Sequence, residues 1–459
     1  MSPFPADAAS DLPGPPWLRA RRNAALERFR AVGPPTEAQE VWRYSRIDEL
    51  DLDAYSPLTP GTDDGPVDGS GLGSALPPAL EAVAAAVGER AGLVVVHNGR
   101  VVRTELQPVL AERGVVLGAL GDDPAAGEDL VGSVAAAPDF FVDLNTALMA
   151  DVVAVRVPRG VAVERPVLVL HWVDAAGSAV FPRLVVKAAE ASQVSVVDHV
   201  ASPPELAAFV APVVELDAGD AANVAYVGMQ ELGRKVWQVG YQASRVGRDA
   251  TLSSVLVALG GEYARVATDS RLEGLGATSR LRALYFGDGE QMHDFRTLQD
   301  HDAPKTTSDL LFKGAVEDRS RAVYSGLIRI RKGAAGTNAF QTNRNLVLGE
   351  GAHADSVPNL EIEENDVKCS HASAVGPIDE EQRYYLEARG LPPEAADRLI
   401  VLGFFEEILD DIHVAGLRGP LRQAVASKLE KARLETAELG ASGPETAEAE
   451  PAPLGTGTA

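Results

Sequence analysis

Residues 252–286 read LSSVLVALGGEYARVATDSRLEGLGATSRLRALYF. Three short apolar or alternating runs, at 252–259, 266–272 and 279–286, have the period of strands, and glycine-containing turns separate them. Similar runs recur from about residue 144 to residue 363, without the intervening helices that a doubly wound sheet requires. This texture leaves a series of β-sandwiches, a propeller or a β-helix open. Because no Trp-Asp or kelch-like spacing occurs, an irregular β-helix is favoured.

The chain divides into four regions around this β-rich core. Asn98-Gly99 predicts a hairpin turn within the first region, whereas Asp379 and Pro392-Pro393 mark helix starts after the core. The regions are a mixed helical region at 1–140 with a Gly/Pro-rich linker near 56–75, a β-helix core at 141–375, a helical domain at 376–435 and a disordered acidic tail at 436–459.

Composition excludes several classes of protein. The 459 residues carry a formal charge of −24 without a cluster of five or more basic residues, so nucleic-acid binding is not expected. No segment approaches the roughly 20 apolar residues that cross a bilayer, and the first residues lack the pattern of a secretion signal. A single cysteine fits a reducing compartment. We therefore predict a cytoplasmic protein with no membrane association.

Cys369 and His371 form the candidate ligand pair. They lie two residues apart, so in an extended segment both side chains point from the same face. A thiolate beside an imidazole suits iron, zinc or copper(I). Since one thiol cannot close a four-ligand site, a metal or iron–sulfur role requires ligands from a partner.

The motifs around this pair resemble one known family. They are Asn359-Leu360-Glu361-Ile362, Val367-Lys368-Cys369-Ser370-His371, Asp379-Glu380-Glu381-Gln382, Tyr324-Ser325-Gly326, Ala339-Phe340-Gln341, Asn343-Arg344-Asn345-Leu346 and, more weakly, Val41-Trp42-Arg43-Tyr44-Ser45. Together they resemble the SufD branch of the SufB/SufD family, the scaffold subunits of the SufBCD iron–sulfur cluster assembly complex. The resemblance covers roughly residues 140–435. The single cysteine favours SufD over SufB, and Ala372 stands where family members often have Gly.

The resemblance implies a fold and a role. The fold is mainly β, a right-handed parallel β-helix core flanked by N-terminal and C-terminal α-helical regions. The role is that of a non-catalytic scaffold subunit, which pairs with a SufB-like subunit through the β-helix cores. A transient iron–sulfur cluster, not held stably by this chain alone, then forms at the shared interface, with His371 as metal ligand and Cys369 as a further cluster contact.

The resemblance also implies an ATPase partner. No Gly-x-x-x-x-Gly-Lys-Ser/Thr motif occurs, so ATP enters only through a SufC-like ATPase that docks on the C-terminal helices. The predicted partner contacts are Asp379, Tyr384, Arg389, Leu399, Phe404 and Phe405. Packing of Phe404 and Phe405 within the chain is the alternative.

Two other functions stay open from the sequence. A SufB-like subunit that holds a cluster itself would share the fold. A β-helix enzyme acting on carbohydrate would use paired carboxylates such as Asp300 and Asp302, near His301 and His293-Asp294. Such residues on turns more often serve as turn formers or solvated caps.

Overall fold

The computed structural model describes residues 12–58, 75–120, 127–135 and 139–441, together with Phe4 and Ala9. Most of the predicted linker at 56–75, and the predicted tail from residue 442 onward, lie outside the described residues.

The N-terminal region mixes helices with a few strands. Its elements are α1 (Pro16–Val32), β1 (Ser56–Pro57), α2 (Pro78–Val87), β2 (Gly92–His97), β3 (Arg100–Leu106), α3 (Pro108–Glu112), β4 (Val116–Ala119) and α4 (Phe140–Leu148), with 3-10 turns at Glu40–Trp42, Ile47–Glu49 and Leu52–Ala54. The predicted hairpin is confirmed, because β2 and β3 are antiparallel around Asn98 and Gly99. Both turn residues have positive φ, 47° and 83°, as a tight two-residue turn requires.

The core is a parallel β-helix of about eight turns, which confirms the predicted fold class. Its strands are β5 (Val153–Val157), β6 (Val167–Trp172), β7 (Ser178–Val180), β8 (Arg183–Ala188), β9 (Gln193–Ala201), β10 (Ala207–Val210), β11 (Val213–Ala218), β12 (Asn223–Glu231), β13 (Lys235–Val246), β14 (Thr251–Ala258), β15 (Tyr263–Leu272), β16 (Thr278–Gly287), β17 (Met292–His301), β18 (Thr307–Val316), β19 (Arg321–Ile330), β20 (Asn338–Val347), β21 (His353–Ile362) and β22 (Lys368–Gly376).

From β11 onward, successive strands alternate between two sheets. The first sheet has the order β21-β19-β17-β15-β13-β11-β8-β5-β4, and the second has the order β22-β20-β18-β16-β14-β12-β9-β6-β2-β3. In the second sheet, residues 223, 251, 278, 307, 338 and 368 are successive register partners. The number of residues between these partners varies slightly from turn to turn. The turns therefore stack in register although the sequence has no repeat of fixed length.

The N-terminal end of the β-helix interior is covered. Strand β2 continues the second sheet beside β6, and β4 pairs antiparallel with β5. Leu110 of α3 and the following Val115 are buried in the same cluster as the interior residues Val155 and Val169. The two ends of the β-helix therefore differ, because the opposite end finishes at β21 and β22.

Three helices follow the β-helix in the described part of the chain. They are α5 (Glu380–Glu387), α6 (Pro393–Asp410) and α7 (Arg418–Ala441), with a 3-10 turn at Ala415–Leu417. Val401 and Phe405 of α6 are buried in one cluster with Val255 and Phe286 of the second sheet. The helical domain is predicted to end at residue 435, whereas α7 continues to Ala441. Residues 436–441, assigned to the disordered tail, are therefore helical. None of the helices in the described part of the chain combines the length and apolar character needed to span a membrane.

Candidate functional site

The last turn of the β-helix leaves both sheets open. Strand β21 pairs with β19 and β22 pairs with β20; within the described residues, no strand lies on the other side of either one. Each edge strand therefore presents a row of unpaired backbone N–H and C=O groups. Such edges are templates for pairing with another chain.

Side chains that would be core residues in any earlier turn are exposed here. Ala339 and Gln341 of β20 face the interior, and their register partners on β22 are Cys369 and His371. The apolar residues of this open end, Leu360, Ile362 and Val375, are 37%, 44% and 43% exposed. The open end thus exposes interior-facing side chains of β21 and β22, and the candidate ligand pair Cys369 and His371 is among them.

Cys369 and His371 lie on the same face of an extended strand, as their spacing predicts. Cys369 is half-buried beside the apolar cluster of Ile328, Ile330 and Ala339, and burial raises the pKa of its thiol. The thiol is therefore not pre-activated, and a metal would have to displace its proton. His371 is exposed, with no hydrogen-bond partner among the described residues.

The open end cannot hold a metal ion with this chain's ligands alone. In the described residues, no group of three or more His, Cys, Asp or Glu side chains is arranged to bind a metal. A structural zinc or iron–sulfur site needs about four ligands. Ligands from a second chain are required for any cluster at His371.

Sequence reasoning did not single out two polar residues, Gln341 one strand below the open end and Ser356 on its edge strand β21. Gln341 and Ser356 both have buried side-chain polar atoms without a hydrogen-bond partner in the described chain. Gln341 is the register partner of His371, and Ser356 is that of Tyr324. The motif containing Gln341 was visible in the sequence, but its position below His371 depends on the register between β20 and β22.

Of the residues predicted to contact a partner on the C-terminal helices, some are exposed and others are buried. Tyr384 and Leu399 are 73% and 50% exposed. Arg389 is exposed and stacks on the Tyr385 ring at 5.0 Å. Asp379 caps α5, since its carboxylate accepts a hydrogen bond from the Glu381 N–H at 2.9 Å.

Phe405 is a core residue. Its side chain has no exposed surface, so its assignment as a partner contact is corrected to packing within the chain. The adjacent Phe404 is partly buried against the same cluster, with the ammonium group of Lys313 5.1 Å from its ring centre. An amphipathic pattern reveals the apolar stripe of α6, but it does not reveal that the second sheet already covers that stripe.

The Asp300 and Asp302 pair lacks the features of a catalytic dyad. Asp300 is almost fully buried and receives two hydrogen bonds from the Arg331 guanidinium, at 2.8 and 2.7 Å. Asp302 is 56% exposed and lies 3.9 Å from the same guanidinium. Between them, His301 points to the interior, where burial lowers its pKa to about 4. These contacts fit structural roles.

His293 and Asp294 are also structural. Burial lowers the pKa of His293 to about 3. Asp294 is fully buried; although burial opposes its ionisation, the Arg265 and Arg296 guanidinium groups lower the pKa of its carboxyl below the ordinary value. Such a carboxylate is a poor general acid near neutral pH.

Comparison with known proteins identifies a family model that matches most of the β-helix, and relatives that match much of the chain. The family model described as "SUF system FeS cluster assembly, SufBD core domain" matches residues 171–404. An iron–sulfur cluster assembly SufBD family protein of Mycobacterium tuberculosis is 37% identical over 317 residues, which are 67% of this chain and 77% of that protein.

Two proteins named SufD are also similar. Iron–sulfur cluster assembly protein SufD of Escherichia coli is 27% identical over 411 residues, 88% of this chain and 91% of that protein. The SufD protein of Bacillus subtilis is 30% identical over 289 residues, 62% of this chain and 66% of that protein.

Proposed function

The chain belongs to the SufBD family of iron–sulfur cluster assembly proteins, and from this premise we propose that it is the SufD-like scaffold subunit of a SufBCD-type complex. In this role it pairs through its open β-helix end with a SufB-like subunit and performs no catalytic turnover of its own. The observation that carries the proposal is the uncovered end of the core, where His371 lies on the interior face of the edge strand β22.

A partner β-helix would stabilise the open end in two ways. Its edge strands supply hydrogen bonds to the unpaired backbone groups of β21 and β22, the β-augmentation mode of recognition. Its own end layer covers Leu360, Ile362 and Val375, which otherwise remain in water. Both effects favour a partner that continues the β-helix over one that docks elsewhere.

The nascent cluster is the cargo of this interface. In its neutral form, the His371 imidazole offers a nitrogen lone pair to iron, and histidine replaces cysteine in some biological iron–sulfur sites. The partner supplies the remaining thiolates, because Cys369 is the only cysteine of this chain. Cys369 itself, half-buried against apolar side chains, is a weaker candidate ligand.

A SufC-like ATPase is proposed to bind the exposed part of α5 and α6. Tyr384, Tyr385 and Leu399 are each exposed on these helices, and Arg389 stacks on the Tyr385 ring. Aromatic residues and arginine are enriched at protein–protein contacts. ATP enters the assembly through this partner.

Co-purification tests the proposal. The full chain carrying an affinity tag is expressed with SufB-like and SufC-like subunits, and the complex is analysed by size-exclusion chromatography with mass measurement. A stable complex that contains all three chains is expected. Failure to form any complex at micromolar concentrations of each subunit would contradict the proposal.

A further inference from the structure

Gln341 is a buried amide without a partner. Its side chain is 1% exposed, and neither Nε2 nor Oε1 has a hydrogen-bond partner among the described residues. An unsatisfied buried polar group costs on the order of 1–3 kcal/mol. Native proteins retain few such groups, and each one calls for a reason.

Gln341 lies one strand below His371 in the register of the second sheet. The two residues are register partners on adjacent parallel strands, which run about 4.8 Å apart. Gln341 faces the interior, where a Cβ atom added at Gly326 would lie 2.6 Å from its Nε2 and 2.3 Å from the Tyr324 Oη. Glycine at position 326 therefore makes room for a polar recess one turn below the open end.

A ligating histidine needs a hydrogen-bond acceptor for its second ring nitrogen. Such histidines nearly always donate that N–H to a carboxylate, a carbonyl or water, which fixes the tautomer and the ring orientation. His371 has no such partner in the described chain, and the Gln341 Oε1 is a free acceptor in the neighbouring turn. Ser373 is also on the same face of β22 but is exposed, so water competes for its hydroxyl.

We infer that Gln341 is the positioning residue for His371. In the paired complex, where the partner covers His371, the Gln341 Oε1 accepts a hydrogen bond from one ring N–H and leaves the other ring nitrogen free to bind iron. The unpaired chain does not contain this bond. This inference rests on the proposed function, in which His371 is the ligand. An amide suits the position, since it accepts a hydrogen bond without adding a charge to the interior.

The stability of the chain provides the first test. Gln341→Leu removes the unpaired polar atoms while keeping a similar volume, so the free energy of unfolding should stay equal or rise. Gln238→Leu is the matched control, because Gln238 is also buried with an unpartnered Oε1 but lies on β13, far from His371 along the register. A large loss of stability in Gln341→Leu would assign Gln341 to core packing and overturn the inference.

Histidine tautomers provide a second test on the full chain paired with an unlabelled SufB-like subunit, without metal. In ¹⁵N-histidine NMR spectra, the His371 signals are those lost in His371→Ala. Gln341→Leu should move the His371 tautomer ratio towards that of a free imidazole, whereas Gln238→Leu should leave it unchanged. An unchanged ratio in Gln341→Leu, or the same change in both variants, would overturn the inference.

Iron loading of the assembled complex separates this inference from the proposed function. After anaerobic reconstitution with Fe²⁺ and sulfide, Gln341→Leu should hold iron on the order of 10–100-fold more weakly than wild type. Full loading of His371→Ala would contradict the ligand role of His371. Loss of loading in His371→Ala with wild-type loading in Gln341→Leu would overturn only the positioning role.

Discussion

Lys313 of β18 donates a hydrogen bond from its Nζ to the main-chain oxygen of Phe404 at 2.9 Å. The same ammonium group pairs with Glu407 at 2.7 Å, and the Lys313 side chain is only 6% exposed. A buried cation on the sheet thus fixes one turn of α6. The C-terminal helices are held by this polar contact as well as by the apolar cluster around Phe405.

Lys313→Met should lower the free energy of unfolding by about 1.5–3 kcal/mol, the range for hydrogen bonds to charged groups. Methionine keeps most of the packing, and the exposed Glu407 remains solvated. Chemical denaturation measures the loss, and hydrogen exchange should show it concentrated in α6. Arg319→Met is the control, since its pair with Glu290 is exposed on both sides and should contribute under about 1 kcal/mol. Equal losses of stability in both variants would contradict the proposed role of Lys313 in holding α6 on the sheet.

Phe405 and Tyr384 should respond in opposite ways to truncation. Phe405→Ala creates a cavity in the core and should cost about 3–5 kcal/mol of stability. Tyr384→Ala changes an exposed residue and should alter stability by no more than about 0.5 kcal/mol, yet weaken binding of the SufC-like ATPase. Thermal denaturation and a pull-down with the ATPase measure the two effects. Undiminished ATPase binding by Tyr384→Ala and Leu399→Asp would place the docking surface elsewhere.

Stability should decline as the pH falls below about 6.5. Burial lowers the pKa of His293 to about 3 and that of His301 to about 4, whereas unfolded histidine titrates near 6.5. Between these values the unfolded state binds more protons, so each histidine costs up to about 1.4 kcal/mol of stability per pH unit. The free energy of unfolding measured from pH 4 to 8 should show this slope.

Histidine variants test whether the buried histidines cause the pH dependence of the free energy of unfolding. His293→Gln should reduce it, because glutamine can still donate to the Phe286 carbonyl oxygen but does not titrate. His353→Gln, at an exposed histidine of β21, should leave it unchanged. A wild-type slope in His293→Gln would refute the assignment.

Charge on the open end should block pairing without unfolding the chain. Ile362→Asp and Val375→Asp place a carboxylate where the partner's core layer is proposed to pack, so affinity for the SufB-like subunit should drop at least about tenfold. Leu275→Asp is the matched control, since Leu275 is 46% exposed on a turn of the same β-helix. Titration calorimetry or interferometry measures the affinities. Equal binding by all three variants would move the interface away from the open end.

The sequence was sufficient for features that depend on local periodicity. A period of two predicts both the strands and the shared face of Cys369 and His371. The Asn98-Gly99 hairpin and the Asp379 cap follow from turn and capping chemistry. Each depends on residues a few positions apart.

Features that depend on distant contacts could not be predicted in this way. The register that places Gln341 below His371 joins β20 and β22, which have strand β21 between them in the chain. The burial of Phe405 depends on which surface covers α6. The sequence places the end of the helical domain too early, because residues 436–441 combine helix formers with a composition that also suits a disordered tail.

Cluster loading of His371→Ala tests the central claim most directly. The complex with SufB-like and SufC-like subunits is reconstituted anaerobically, and its iron, sulfide and visible absorbance are compared with those of wild type. We expect His371→Ala to assemble normally but to lose most of its cluster, while Cys369→Ala loses less. Full loading of the His371→Ala complex would contradict the account and leave His371 without a ligand role.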